Sequence, residues 1–285
     1  MLAQPRCVFI SMEGFPQEFL SYPDPQQLSL MMANLQALEG GDMYTVGWIS
    51  ALPLELAAAT AMLDEEHAAP TDFVPSPSDR NIYTFGRMGK HNVVFASLPP
   101  GVYGTISAAT TAQQMLSSLP NIRIGLMVGI GAGIPKPEKH DIRLGDVVVS
   151  QPDGTSGGVV QYDLGKVKAD GSFERKGMLN QPPLALLNAL GKLQERHIKS
   201  ASKIPSYVNK MLEEFPLMKR RRPKTPSYMY QGVENDKLFE PAYLHIGGPS
   251  CTACETSREM TRDVRDSTDR KLCNQSYSTA LSTTD

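Results

Sequence analysis

The sequence has few cysteines, no long apolar run and almost no net charge. Cys7, Cys251, Cys254 and Cys273 are its four cysteines in 285 residues. That is too few for a disulfide scaffold, which fits a reducing compartment. No stretch approaches the length of a membrane span. The N-terminus, with Arg6 and a brief CVFI run, has neither an apolar signal core nor a cleavage pattern. Lys and Arg number 28 against 30 Asp and Glu, a balance that gives no global field for nucleic acid or acidic lipid. No nucleic-acid partner and no membrane partner are therefore expected, no internal repeat is visible, and the cytoplasm is the default location. The basic run 219–224 suits a solvated loop, with a nuclear-import signal as the weaker alternative. What the chain does have is material for a core: 41% hydrophobic against 20% charged residues allows a sizeable interior.

The chain is organised around residues 124–150, IGLMVGIGAGIPKPEKHDIRLGDVVVS. The apolar run 124–128 is long enough for a buried strand and too short for a helix. Gly129, Gly131 and Gly133 follow at alternate positions, where a backbone without Cβ can turn sharply and let another group come close. Pro135 and Pro137 forbid a helix directly afterwards. Val147, Val148 and Val149 then suggest a second buried strand. A dinucleotide-binding turn needs its last glycine one residue later and a helix to follow; the IPKP segment removes that helix. On spacing alone, a plain turn between core strands and a ligand-binding turn stand level.

Upstream, YTVGWIS at 44–50 is a strand by its β-branched and aromatic content. Pro53 suits a first helical position, and LELAAATAML continues the helix to 63. Residues 64–80 carry three prolines and make an exposed loop. Residues 81–87 and 92–97 form a hairpin, and 105–119 a helix. Downstream, the pattern predicts strand at 159–163 and at 167, and helices over 184–196 and 202–215. Strands alternating with helices imply an α/β fold with a mixed, mostly parallel sheet. Residues 1–43 carry an amphipathic pattern at 28–38 and otherwise form a poorly ordered extension. The tail, 256–285, has few apolar residues and no period, as a disordered segment does.

VGIGAGIP followed by IRLGDVVVS resembles the central signature of the purine and uridine phosphorylase superfamily, which includes the methylthioadenosine and S-adenosylhomocysteine nucleosidases. The likeness runs from about residue 44 to about residue 254. It extends to nucleoside-phosphorylase-like domains of fungal, receptor-like multidomain proteins. It implies a three-layer α/β domain over 44–255, with a mixed, mostly parallel sheet flanked by helices and an insertion at about 200–255. The implied ligand is a small-molecule nucleoside. The implied reaction is cleavage of its N-glycosidic bond by water or by phosphate, with phosphate as co-substrate and no other cofactor. The implied setting is a homo-oligomer or a larger multidomain protein.

The resemblance also implies residue roles. Glu55, after the first strand, would position an attacking water and act as base; a glutamate in a first helical turn is also ordinary, because the dipole favours it. Family phosphorylases hold phosphate near this strand end with a glycine and an arginine, and no arginine stands close to Glu55. Gly101, Gly104 and Thr105 match a phosphate-contacting turn, level with the alternative of a plain N-cap. Gly129, Ile130, Gly131, Ala132 and Gly133 match the loop along nucleobase and ribose. Asp146 is taken as a structural turn carboxylate, and His91 and His140 as lone surface histidines.

The CxxC of Cys251 and Cys254 raises zinc. A closed site needs four ligands; with one CxxC, and His245 and Cys273 at unhelpful spacing, no metal is expected. The resemblance places the cysteine pair in the family's insertion. Two family features are not found: the Glu-Met-Glu segment for the ribose hydroxyls and the later aspartate that protonates the leaving base. The expectation is a domain incomplete at its C-terminus, from a truncated product or a shifted reading frame. A catalytically inactive nucleoside-sensing or remnant domain is the alternative function.

Overall fold

The computed structural model describes residues 35–133, 135, 141–177, 179–222, 226–247, 251–264 and 272–275. Most of the N-terminal extension with its 28–38 pattern, Pro137, His140 and much of the tail lie outside them. The described residues form two compact units. The first comprises the chain up to Ile130 together with Phe215–Tyr228; the second comprises Gly131–Glu214 and the chain from Met229 onward.

In the first unit, β1 (Val46–Ser50) is the centre of a five-stranded sheet. β4 (His91–Ser97) and β5 (Ile124–Met127) flank it, both parallel. β3 (Thr84–Met88) and β2 (Glu65–His67) continue antiparallel beyond β4, giving the order β2-β3-β4-β1-β5. The hairpin expected from the sequence is present: Met88 pairs with His91, and Gly89 makes the turn at φ +59°. β2 lies inside the stretch expected to be an exposed loop; three residues are too few to show an alternation.

Two helices cover the sheet, α1 (Pro53–Thr60) after β1 and α2 (Thr105–Ser118) after β4. Side chains alternate along the strands, so each face acquires its own core. Val46, Val93 and Phe95 meet Ala59 of α1, with Trp48, Leu56, Ile124 and Leu126 packed around them. Ile49, Val94 and Ala96 join Met115 and Leu119 on the α2 side. Gly47 permits the close approach of α2, since a Cβ there would stand 2.7 Å from Met115 Sδ. The arrangement is helix, sheet, helix: a three-layer α/β unit. Residues 35–43 belong to it, because Leu38 packs on the α2-side core and the Gly41 N–H donates to Asp72 Oδ1 at 2.7 Å. Tyr228 is tied in as well, its hydroxyl donating to the Leu54 carbonyl at 2.9 Å. The run 124–128, expected to be buried, is only half-buried. β5 is the last strand of the sheet, and Met127 and Val128 are exposed.

The second unit contains β6 (Val147–Ser150) paired in parallel with β9 (Leu272–Gln275). It also contains the hairpin of β7 (Gly165–Val167) and β8 (Phe173–Arg175), and the helices α3 (Leu184–Lys199) and α4 (Ile204–Glu214). The strand expected at 159–163 begins instead at Gly165. Val147 and Val148, expected to be buried, are exposed, because β6 lies in a two-stranded sheet and not inside a larger one. Arg262, from the stretch whose composition suggested disorder, is anchored. It pairs with Asp236 at 3.1 Å and with Asp141 at 3.2 Å, and Arg143 also pairs with Asp141. No helix among the described residues is long and apolar enough to cross a membrane.

Candidate functional site

β1, β4 and β5 run parallel, so their carboxyl ends fall on one edge of the sheet. The loops that leave this edge carry Glu55, Gly101 to Thr105, and Gly129 with Ile130. Open α/β sheets bind their ligands at such an edge.

Glu55 stands in the first turn of α1, where Pro53 opens the helix with its φ already set and no N–H to satisfy. Its carboxylate is buried and accepts three backbone hydrogen bonds. Ala51 and Leu52 donate to Oε2 at 2.8 and 2.9 Å, and Ile130 donates to Oε1 at 2.6 Å. The bond from Leu52 is half of a capping box; leucine has no acceptor with which to return it. The bond from Ile130 fastens the start of α1 to the loop after β5. Two acceptor positions on Oε2 are filled and one on Oε1 remains, so Glu55 is a clasp that can still take one proton or one water. Gly129 is a glycine for the sake of this clasp, since a Cβ on it would lie 2.5 Å from Glu55 Oε1.

The turn after β4 owes its shape to two glycines in the left-handed region, Gly101 at φ +81° and Gly104 at φ +106°. Gly104 is the N-cap of α2 and makes no side-chain cap bond. Thr105 is exposed at the first helical position, beside first-turn N–H groups that suit an anion. Val102, Tyr103, Ile106, Val128 and Ile130 are exposed apolar side chains of this same edge. Sequence reasoning missed Ser50, the last residue of β1. It is fully buried, and its hydroxyl has no hydrogen-bond partner among the described residues.

Gly131, Ala132 and Gly133 continue the chain into the second unit and are exposed. Asp146 closes a turn: its carboxylate accepts from the Arg143 N–H at 2.9 Å. His91 is exposed at the start of β4. His245, dismissed on linear spacing, lies beside the cysteine pair. Its Nδ1 is 3.3 Å from Cys254 Sγ and 4.0 Å from Cys251 Sγ. The three side chains meet in space, which a count of residues between ligands does not capture.

No protein-family model matches the chain. It is similar to a nucleotide-binding leucine-rich repeat (NLR)-like protein of Hyaloscypha variabilis, 46% identical over 197 residues. The match covers 69% of this chain and 18% of that protein, so the chain spans less than a fifth of this relative. Among solved structures it is similar to the Campylobacter jejuni 5′-methylthioadenosine/S-adenosylhomocysteine nucleosidase, at TM-score 0.29 and 19% identity, over 45% of this chain and 47% of that one. It is also similar to a futalosine hydrolase mutant of Helicobacter pylori, at TM-score 0.34 and 18% identity, over 54% and 61%.

Proposed function

We propose that the carboxyl edge of β1, β4 and β5 binds a nucleoside, and that its chemistry is that of enzymes that break the N-glycosidic bond with water or phosphate. The observation that carries this reading is the meeting of Glu55, the Gly101–Thr105 turn and Gly129–Ile130 at one sheet edge. These are the positions to which the sequence resemblance assigns the base, the phosphate contact and the nucleoside wall. The exposed Val102, Tyr103, Ile106 and Ile130 offer an apolar surface, and a nucleobase can stack on an aromatic ring such as that of Tyr103. In the reaction, the nucleophile's oxygen bonds to C1′ as the C1′–N bond breaks, and the base leaves with the bonding electrons and takes its proton from solvent. Glu55, through the open position on Oε1, takes the proton of an attacking water. Phosphate held at the start of α2 would attack without that help. Phosphate is the one co-substrate in this proposal, and no other cofactor enters it.

A second reading has its own support. Glu55 is engaged by three backbone donors, which makes it a structural clasp first, and the H. variabilis relative is named NLR-like. On this reading the domain binds a nucleoside without cleaving it, as one part of a longer protein or of an oligomer. Incubation of the chain with adenosine, inosine, uridine or methylthioadenosine, with and without phosphate, separates the two when free base is followed by chromatography. Release should be at trace level. No Glu-Met-Glu occurs in the 285 residues to hold the ribose, and help from a general acid is commonly worth about 10²–10⁴ in rate. Binding with no release at all selects the second reading, and a chain that neither binds nor releases contradicts both.

A further inference from the structure

We propose that His245, Cys251 and Cys254 form a binding site for a zinc-class divalent metal ion, which ties together the chain on either side of it, from Phe239 to His245 and from Cys251 to Glu259. The three ligand atoms lie within 4.8 Å of one another. Tetrahedral zinc at about 2.3 Å from sulfur and about 2.0–2.1 Å from nitrogen sets its ligands about 3.5–3.8 Å apart. The two observed nitrogen–sulfur separations, 3.3 and 4.0 Å, bracket that range. Closing on one ion asks the two nitrogen–sulfur separations to shift by a few tenths of an ångström and draws the two sulfurs, which lie within 4.8 Å of each other, to about 3.8 Å.

The local fold explains why these three side chains meet. Cys251–Ala253 is a 3-10 turn, closed by the Cys254 N–H donating to the Cys251 carbonyl at 3.2 Å. In a 3-10 turn, side chains at i and i+3 eclipse, so both sulfurs project to the same side. Gly247, two residues after His245, lies in the left-handed region at φ +72°. The base of the loop is tied by the Phe239–Glu259 bridge, and a second tie runs from the Glu255 N–H to the Tyr243 hydroxyl at 2.7 Å. Among the described residues of 239–259 no regular strand adds to those ties, and a metal on the three ligands supplies a further closure.

The ligand chemistry selects the ion. Two thiolates and an imidazole favour zinc and its neighbours over calcium or magnesium, which take oxygen. Cys254 is buried, Cys251 half-buried and His245 exposed. The site therefore opens to solvent on the histidine side, where water can take the fourth position.

The test uses the full chain purified without chelator and without a histidine tag. Elemental analysis should find one zinc per chain. Cobalt exchanged into the site should give a thiolate-to-metal charge-transfer band. Cys254→Ser and His245→Ala should each weaken zinc binding by at least about a hundredfold, since loss of even an outer-shell partner costs about 10–100-fold. A variant that fails to fold is bypassed with the unaltered protein: adding a chelator should speed amide exchange across 239–259 and expose Cys251 and Cys254 to alkylation, and zinc should reverse both. A chain that binds no zinc when zinc is supplied, a Cys254→Ser chain that keeps its zinc, or a mass lower by two hydrogens from a Cys251–Cys254 disulfide would each overturn the proposal. None of these readouts depends on nucleoside binding.

Discussion

At the scale of residues, the clasp of Glu55 and Gly129 gives the sharpest contrasts. A methyl group on Gly129 collides with Glu55 Oε1, whereas one on Gly131 meets no atom of the described residues within 4 Å. Gly129→Ala should therefore destabilise the chain by about 1–3 kcal/mol, the usual cost of forcing an atom into a filled space. Gly131→Ala should fall within about 0.5 kcal/mol of the parent. Thermal midpoints followed by the fluorescence of Trp48 check both, and equal midpoints would mean that the clasp is not formed. Glu55→Gln makes a related point. An amide has one acceptor oxygen, so at least one of the three backbone donors would face an N–H group, at a cost of about 1–3 kcal/mol. A lower midpoint for this variant would reveal the structural part of the role of Glu55 apart from any turnover. Only half of that role was legible in the sequence. Its place after the first strand could be read from ALPLEL, but its partner Ile130 is 75 positions away, and no local pattern announces such a bond. The same blindness hid the approach of His245 to Cys254.

At the scale of elements, the sheet and its two helices were largely legible, because each has its own periodic signal. Pro53 marked the start of α1, the MGKH turn marked the β3–β4 hairpin, and the glycine turn before Thr105 marked α2. Burial was harder to read. The apolar runs at 124–128 and 147–149 imply strands but cannot reveal that β5 ends its sheet and that β6 pairs with a single neighbour. β2 was missed for want of length. Packing between elements gives its own prediction. α2 rests on β1 through Gly47, where a Cβ would stand 2.7 Å from Met115 Sδ and 3.3 Å from Ile122 Cγ2. Gly47→Ala should push α2 off the sheet at a cost of about 1–3 kcal/mol, with faster amide exchange along 105–118. Met115→Ala empties buried space and is costly by itself, but it also removes the sulfur that the new Cβ would meet, so the double variant Gly47→Ala/Met115→Ala should lose less than the two single variants summed. If the two losses simply add, the contact does not hold α2 in place.

At the scale of the molecule, the two units should respond to opposite ends of the pH range. In the first unit, burial, and then the charge of Glu65, push the Tyr44 phenol from 10.0 up to about 12. A raised folded value means that its contribution is intact below pH 10.0 and is lost as the pH climbs through about 12. In the second unit, burial pushes the Asp141 carboxyl up, but the hydrogen bond and charge of Arg143 and those of Arg262 together outweigh it and hold the group below its ordinary value. A lowered folded value means that this contribution is present above the ordinary carboxylate range and is lost as the pH falls through the folded value. Trp48, the one tryptophan, lies in β1 and reports the alkaline transition of the first unit. Amide exchange around 141–143 and 262 reports the acid transition of the second. Arg262→Ala should move that acid transition to higher pH, and an unmoved transition would remove Asp141 from the account.

The central claim, that the carboxyl edge of β1, β4 and β5 takes a nucleoside, is tested most directly by calorimetric titration of the chain with adenosine, inosine, uridine and methylthioadenosine, repeated on Ile130→Asp. Ile130 is 72% exposed and serves Glu55 through its backbone N–H, so the variant keeps that donor while putting a charge into the proposed wall. The account predicts saturable binding of at least one of these nucleosides to the parent chain and its loss in Ile130→Asp. No binding to the parent, or the same affinity in the variant, would contradict it.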